Sequence, residues 1–203
     1  YQSETYQPAT ISRGGLEQSN ELARLGLEIR MPRDLAVASL FLAAPPEGVV
    51  SVTIYRRHVG DAEFSTYWKG RITGARLSGA EATLKCEPIA SSLKRPGLRA
   101  RYQLLCRHVL YSSGCGALKD SFRVDGTVAA VSGVTVQVAV AASRPDGYFV
   151  GGMLATTAGA RMIVGHAGID LTLVAPMVGL TAGDAVQLYA GCDHTMAHCK
   201  DRF

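Results

Sequence analysis

The chain has 203 residues, 47% of them hydrophobic and 19% charged, a composition too apolar for a disordered chain and a length sufficient for one large domain or two small ones with real cores. No apolar run reaches the roughly 20 residues that a membrane-crossing helix needs, so no membrane span is expected. The formal net charge of +4 is mild. Part of it is concentrated in Lys94, Arg95, Arg99, Arg101 and Arg107, but no binding motif accompanies that run, so it reads as a solvated linker or a face toward another protein, and direct nucleic-acid recognition is not expected.

In chain order, Leu25, Leu27, Ile29 and Met31 alternate with polar or small residues, the period of a half-buried strand. From Arg33 to Ala44 the apolar residues Leu35, Val37, Leu40 and Phe41 fall at helical spacing, with Asp34 near the start and Pro45-Pro46 as a stop, and they predict a helix. Val50, Val52 and Ile54 return to strand alternation; Ser65–Leu77, with Tyr67, Trp68 and Ile72, and Glu81–Ile89 predict two more strands. A strand, one helix and three further strands predict a small curved sheet or open barrel with the helix packed on it. The Ser-Ser-Leu-Lys-Arg-Pro-Gly segment at 91–97 then breaks the periodicity and divides the chain into an N-terminal domain, 1–95, and a C-terminal domain, 96–203.

The second domain reads as almost entirely β. Phe122, Val124, Val128 and Val131 lead into Ser132-Gly133, and Val134, Val136, Val138 and Val140 return in strict alternation, as in a hairpin. Arg161–His166 and Ile169–Val174 flank Ala167-Gly168 as a second hairpin, and Ala182-Gly183-Asp184 turns the chain into a last strand, Ala185–Tyr189. Loops are expected between Gly114 and Phe122 and between Ala142 and Thr157. Short, even strands with glycine turns predict an antiparallel barrel or sandwich, with the cysteine-bearing segments gathered at one edge as a four-cysteine site that closes it. The whole chain is expected to be mainly β.

Four of the five cysteines form two close pairs, Cys106 with Cys115 and Cys192 with Cys199. Cys86 stands apart in a strand-like run and reads as a buried free thiol. Two disulfides would require an oxidising compartment, and no secretory segment is visible, so the pairs read as metal ligands. Four thiolates suit tetrahedral zinc or an iron–sulfur cluster. Gaps of eight and six residues are longer than zinc knuckles use and favour a cluster. A Cys2His2 zinc site built from Cys192, Cys199, His194 and His198 is the competing arrangement, although it leaves Cys106 and Cys115 unexplained. An enzyme is not expected: four thiolates leave zinc no open position, and no nucleophile elbow, phosphate loop or His-Glu-x-x-His helix is present. His108, Asp193 and His194 are the candidate catalytic side chains, and each reads more simply as support for the cysteines. The alternatives are a zinc-stabilised protein-binding module or a redox or hydrolytic metalloenzyme.

Taken in order, Cys106-Arg-His-Val-Leu-Tyr-Ser-Ser-Gly-Cys115, Gly147-Tyr-Phe-Val-Gly-Gly152, Ala182-Gly-Asp184, Gly191-Cys-Asp193 and Cys199-Lys-Asp-Arg-Phe203 resemble the motifs of a bacteriophage tail-tip protein family. That family includes the minor tail protein L of lambda-like phages and the hub proteins of gene-transfer agents. The resemblance runs over essentially the whole chain; it is specific in 95–203 and looser in the first domain, through Tyr6-Gln-Pro8 and Trp68-Lys-Gly70. It implies a structural protein of the virion, at the distal end of a long tail and assembled in the host cytoplasm. Its implied partners are the distal tail protein and the central hub or fibre protein, and it implies a homotrimer in the tail. It also implies that Cys106, Cys115, Cys192 and Cys199 bind a [4Fe-4S] cluster in the C-terminal domain.

Overall fold

Alternation of apolar and polar side chains builds the first half of the molecule. The structure, a computed structural model, describes residues 4–16, 26–42, 45–46, 48–94, 97, 100–157 and 159–203. The chain divides into two compact units, Tyr1–Leu98 and Arg99–Phe203. The first contains β1 (Ser12–Arg13), β2 (Leu27–Pro32), a single helical turn α1 (Ala36–Ser39), β3 (Ser51–Arg56), β4 (Ser65–Ser78) and β5 (Glu81–Pro88). These strands form a five-stranded antiparallel sheet in the order β1-β2-β5-β4-β3. Leu27, Ile29 and Met31 of β2 and Ala82, Leu84 and Cys86 of β5 point to one face and make its core with Ile72 and Ala38, as a period of two requires.

The expected helix from Arg33 to Ala44 is corrected to the four residues of α1. Its N-cap, Leu35, has no side chain able to accept from the first-turn N–H groups, and a single turn is far below the length at which helices hold themselves, so α1 relies on the packing of Ala38 in the sheet's core. Leu35 and Phe41 still pack on the sheet, while Val37 and Leu40 are exposed. Leu25, Ala43 and Ala44, and the Arg95, Pro96 and Arg99 of the expected linker, lie outside the described residues. Ile89 does not extend β5 but opens a 3-10 turn, Ile89–Lys94.

The second unit is a closed antiparallel barrel. Its strands are β6 (Arg123–Ser132), β7 (Thr135–Val138), β8 (Met153–Thr156), β9 (Gly159–Ala167), β10 (Asp170–Leu173) and β11 (Ala185–Tyr189), hydrogen-bonded around the barrel as β10-β7-β6-β11-β8-β9. Closure comes from β9 pairing with β10, so strand ladders and not a four-cysteine site close this barrel, and they leave it no free edge. Both predicted hairpins form, through two-residue turns at Gly133-Val134 and Gly168-Ile169, each displaced one residue from its expected place. Each turn has glycine at its first central position with φ of 61° and 57°, the left-handed geometry that hairpin turns of this length favour. Val140 leaves the sheet for a 3-10 turn, Ala139–Ser143, and the expected loop before Thr157 contains β8. The interior is filled by Val128, Val136, Val138, Phe149, Leu154, Ile163, Leu171, Leu173, Val186 and Leu188, all nearly inaccessible. A short helix, α2 (Met196–Arg202), follows β11. No helix among the described residues is long and apolar enough to cross a membrane.

Cys86 is free and 4% exposed, and burial pushes its thiol from 9.0 up to about 11. Between those values unfolding releases the proton, so the stability tied to the neutral thiol is complete below about pH 9 and lost as pH rises to about 11. Cys86→Ala should therefore flatten the decline of Tm across that alkaline window. An unchanged decline in calorimetric scans would assign the titration to other groups.

Candidate functional site

Just beyond β11 the chain passes through Ala190 and Gly191, both buried, into Cys192. The Gly191 N–H donates to the Tyr148 carbonyl at 3.0 Å, and a Cβ on Gly191 would overlap the carbonyl of Val150. Only glycine lets the strand end lie this close to the 147–152 turn. This approach sets the position of Cys192.

The first cysteine segment is brought to the same place. The Cys106 N–H donates to the His194 carbonyl at 2.7 Å, and the His194 ring Nδ1 lies 3.2 Å from the Cys106 carbonyl oxygen, which it reaches as a donor when that nitrogen carries the proton. The His194 N–H in turn donates to Cys192 Sγ at 3.3 Å. Burial raises the Cys192 thiol's pKa; the hydrogen bond from His194 opposes that rise, and the neighbouring thiols of Cys199 and Cys115 add to it. Cys115 and Cys192 also act electrostatically on the Tyr111 hydroxyl, whose own pKa is driven up mainly by burial. Cys115, Cys192 and Cys199 thus share one neighbourhood, and the paired backbones of Cys106 and His194 join it. All four are half-buried and free.

The polar side chains around them are engaged with the chain itself. Asp193 accepts from the Thr195 N–H and hydroxyl, both at 2.8 Å, which holds its carboxyl below the ordinary range, with His198 helping. Thr195 caps α2 by accepting from the His198 N–H at 3.2 Å. His198 Nε2 lies 3.4 Å from the Gly191 carbonyl and its Nδ1 3.6 Å from Asp193. The His108 ring lies against Gly114, in the space a Cβ there would take. The candidate catalytic residues therefore serve as struts for the cysteine segments.

Sequence reasoning left three residues without a role. Tyr111, in the left-handed region at φ 62°, donates its hydroxyl to the Ala190 carbonyl at 2.7 Å. Its ring meets Phe122, Tyr189 and Phe203 at centroid distances of 6.4, 6.2 and 6.0 Å. Arg202 donates from Nη1 to the carbonyls of Tyr148 and Gly191, and Phe203 stacks edge-on with Phe122 at 4.7 Å. All three lie inside the motifs quoted above; what the sequence hid was the main-chain acceptors of Tyr111 and Arg202 and the ring partners of Phe203.

Among the described residues, no group of three or more His, Cys, Asp and Glu side chains is arranged to hold a metal ion. A tetrahedral zinc needs four sulfurs, each about 2.3 Å from one point, whereas a cluster distributes its ligands over a wider body.

A family profile described as "Phage conserved hypothetical protein BR0599" matches residues 147–203, the stretch holding Cys192 and Cys199. An uncharacterized protein of Xylella fastidiosa (strain 9a5c) is 29% identical over 140 residues, 62% of this chain and 29% of that protein. The chain thus spans less than a third of that curated relative's length. Among solved structures, a chain from the "Virion of native gene transfer agent (GTA) particle" is similar with a TM-score of 0.80 and 20% identity, covering 100% of this chain and 75% of that one. Identity that low establishes a shared fold, and the shared fold extends over both units.

Tyr111→Phe should keep the ring cluster and leave the fully buried Ala190 carbonyl without its donor, a loss of about 1–3 kcal/mol. Urea denaturation followed by circular dichroism tests this; a loss well under 1 kcal/mol would mean that water replaces the hydroxyl.

Proposed function

We propose that this chain is a structural, non-enzymatic component of a phage-type virion, built into the distal end of a long tail, where it joins the distal tail protein to the central hub or fibre protein. The observation that carries this reading is the full-length fold likeness to a gene transfer agent virion chain. The match of residues 147–203 to a phage protein family adds to it. The tail-tip position, the two partners and the trimer rest on the motif resemblance set out above.

In this reading Cys106, Cys115, Cys192 and Cys199 hold a [4Fe-4S] cluster, which when bound supplies four covalent ties between segments far apart in sequence. The fit is supported by the donor chemistry: four free, half-buried cysteines on segments that the Cys106–His194 backbone pair and the Tyr111 hydroxyl tie to the end of β11, and an N–H directed at one sulfur. The histidines of the competing zinc site are turned toward main-chain carbonyls. Arg101 and Arg107, both exposed, suit a face that meets an acidic neighbour.

Full-length protein purified without oxygen should be brown and carry about four irons and four labile sulfides per chain. Serine at Cys106, Cys115, Cys192 or Cys199 should abolish the colour, and Cys86→Ser should not. Zinc in place of iron, retained by the Cys106 variant but lost from His194→Ala and His198→Ala, would replace the cluster with the histidine site.

A ring subunit needs surfaces for two neighbours as well as for the proteins above and below it. A reconstruction of the assembled tail end should therefore contain three copies related by a three-fold axis. One copy, or six equivalent copies, would refute the trimer.

A further inference from the structure

Cys199 sits in α2, a helix of seven residues with none buried, too short to hold its place by its own hydrogen bonds. Its position depends on tethers at its two ends. At the start these are the Thr195 cap and the His198 contact with Gly191. At the end, Arg202 Nη1 donates to the carbonyls of Tyr148 at 2.8 Å and Gly191 at 2.9 Å, and its guanidinium lies 4.5 Å from the centre of the Tyr148 ring. Tyr148 also stacks against Arg144 at 5.1 Å. Its carbonyl accepts from the Gly191 N–H as well, so a single guanidinium closes onto the joint between the 147–152 turn and the residue that precedes Cys192. Arg202 follows Cys199 by three positions and lies within one helical turn of it.

From this geometry we infer that Arg202 is a positioning residue, a latch that holds the Cys199 helix against the Gly191-Cys192 joint in the protein before any metal binds. The guanidinium suits the task because it is permanently charged, rigid and planar, so it can satisfy two carbonyls and stack on a ring at the same time. A lysine ammonium provides the charge without the plane. The inference concerns the arrangement of the thiols; only its second readout rests on the cluster reading.

The test uses the full chain, reduced and metal-free, as wild type, Arg202→Ala and Arg202→Lys. Alkylation of each cysteine by a maleimide is timed by peptide mass spectrometry, with buried Cys86 as the internal standard. Arg202→Ala should speed labelling of Cys199 about tenfold, the factor that 1.4 kcal/mol represents, with Cys86 unchanged and Arg202→Lys between the two. Amide exchange over 196–203 should rise in the alanine variant while that over 185–189 stays at the wild-type level. Equal acceleration of both segments would make Arg202 an ordinary stabiliser of the barrel and overturn the latch. So would wild-type labelling of Cys199. As the second readout, anaerobic reconstitution with iron and sulfide should give Arg202→Ala less than half the wild-type iron. If the wild type takes up no iron but the alanine variant still exposes Cys199, the cluster reading fails and the latch stands. If the wild type takes up iron and the alanine variant matches it in both iron and labelling, the latch alone fails.

Discussion

The buried carbonyls of Ala190 and Gly191, just past the last barrel strand, have to find hydrogen-bond donors. Leaving one without a partner costs about 1–3 kcal/mol, and β11 has ended before it could supply a ladder neighbour for either. The donors are side chains: the Tyr111 hydroxyl for Ala190 and the Arg202 guanidinium for Gly191. Tyr111 belongs to the segment that carries Cys106 and Cys115, and Arg202 to the helix that carries Cys199. Satisfying the end of one strand therefore draws together every segment that bears a paired cysteine. The four-ring cluster of Tyr111, Phe122, Tyr189 and Phe203 adds apolar burial to the same junction.

Two backbone conformations mark how firmly this junction is specified. Tyr111 and His194 are non-glycine residues in the left-handed region, at φ 62° and 65°. Such a conformation is held only where surrounding contacts outweigh a penalty of about 1–3 kcal/mol. At Tyr111 those contacts are the hydroxyl bond and three rings; at His194 they are the two-way pairing with Cys106 and the N–H directed at Cys192. The strain lies on both cysteine-bearing segments, between Cys106 and Cys115 on one and between Cys192 and Cys199 on the other.

How much of this was legible in the sequence depends on whether a feature is written in side chains or in main-chain geometry. Strands with clean alternation, such as Leu27–Pro32 and Ala185–Tyr189, and both hairpins were readable because burial on one face selects side chains at a period of two. The strand Met153–Thr156 was missed because four residues, with two glycines just before it, carry no period that can be counted. The long helix after Arg33 was over-read: its spacing is helical, but nothing caps it and only Ala38 is buried in the turn that forms. The cysteines were legible as residue types in two pairs. The braces were not, because Tyr111 and Arg202 bond to carbonyls 79 and 11 residues away, and a carbonyl acceptor leaves no mark on the residue that owns it.

The brace also fixes how a bound cluster would act on stability in the proposed reading. A disulfide joining positions about 90 residues apart would persist in the unfolded chain and remove on the order of 4–5 kcal/mol of its entropy. A cluster held by four thiolates has its ligands in place only while Cys106, Cys115, Cys192 and Cys199 stay together, so its contribution follows mass action on the folded state. That contribution grows with how well the ligands are arranged beforehand, because ordering free segments at the moment of binding subtracts from the binding energy. Hydrogen bonds from Tyr111, Arg202 and His194, which need no metal, arrange the two cysteine segments in advance. In the proposed reading those hydrogen bonds meet part of the ordering requirement during folding, and metal binding would then fasten a junction that they have begun.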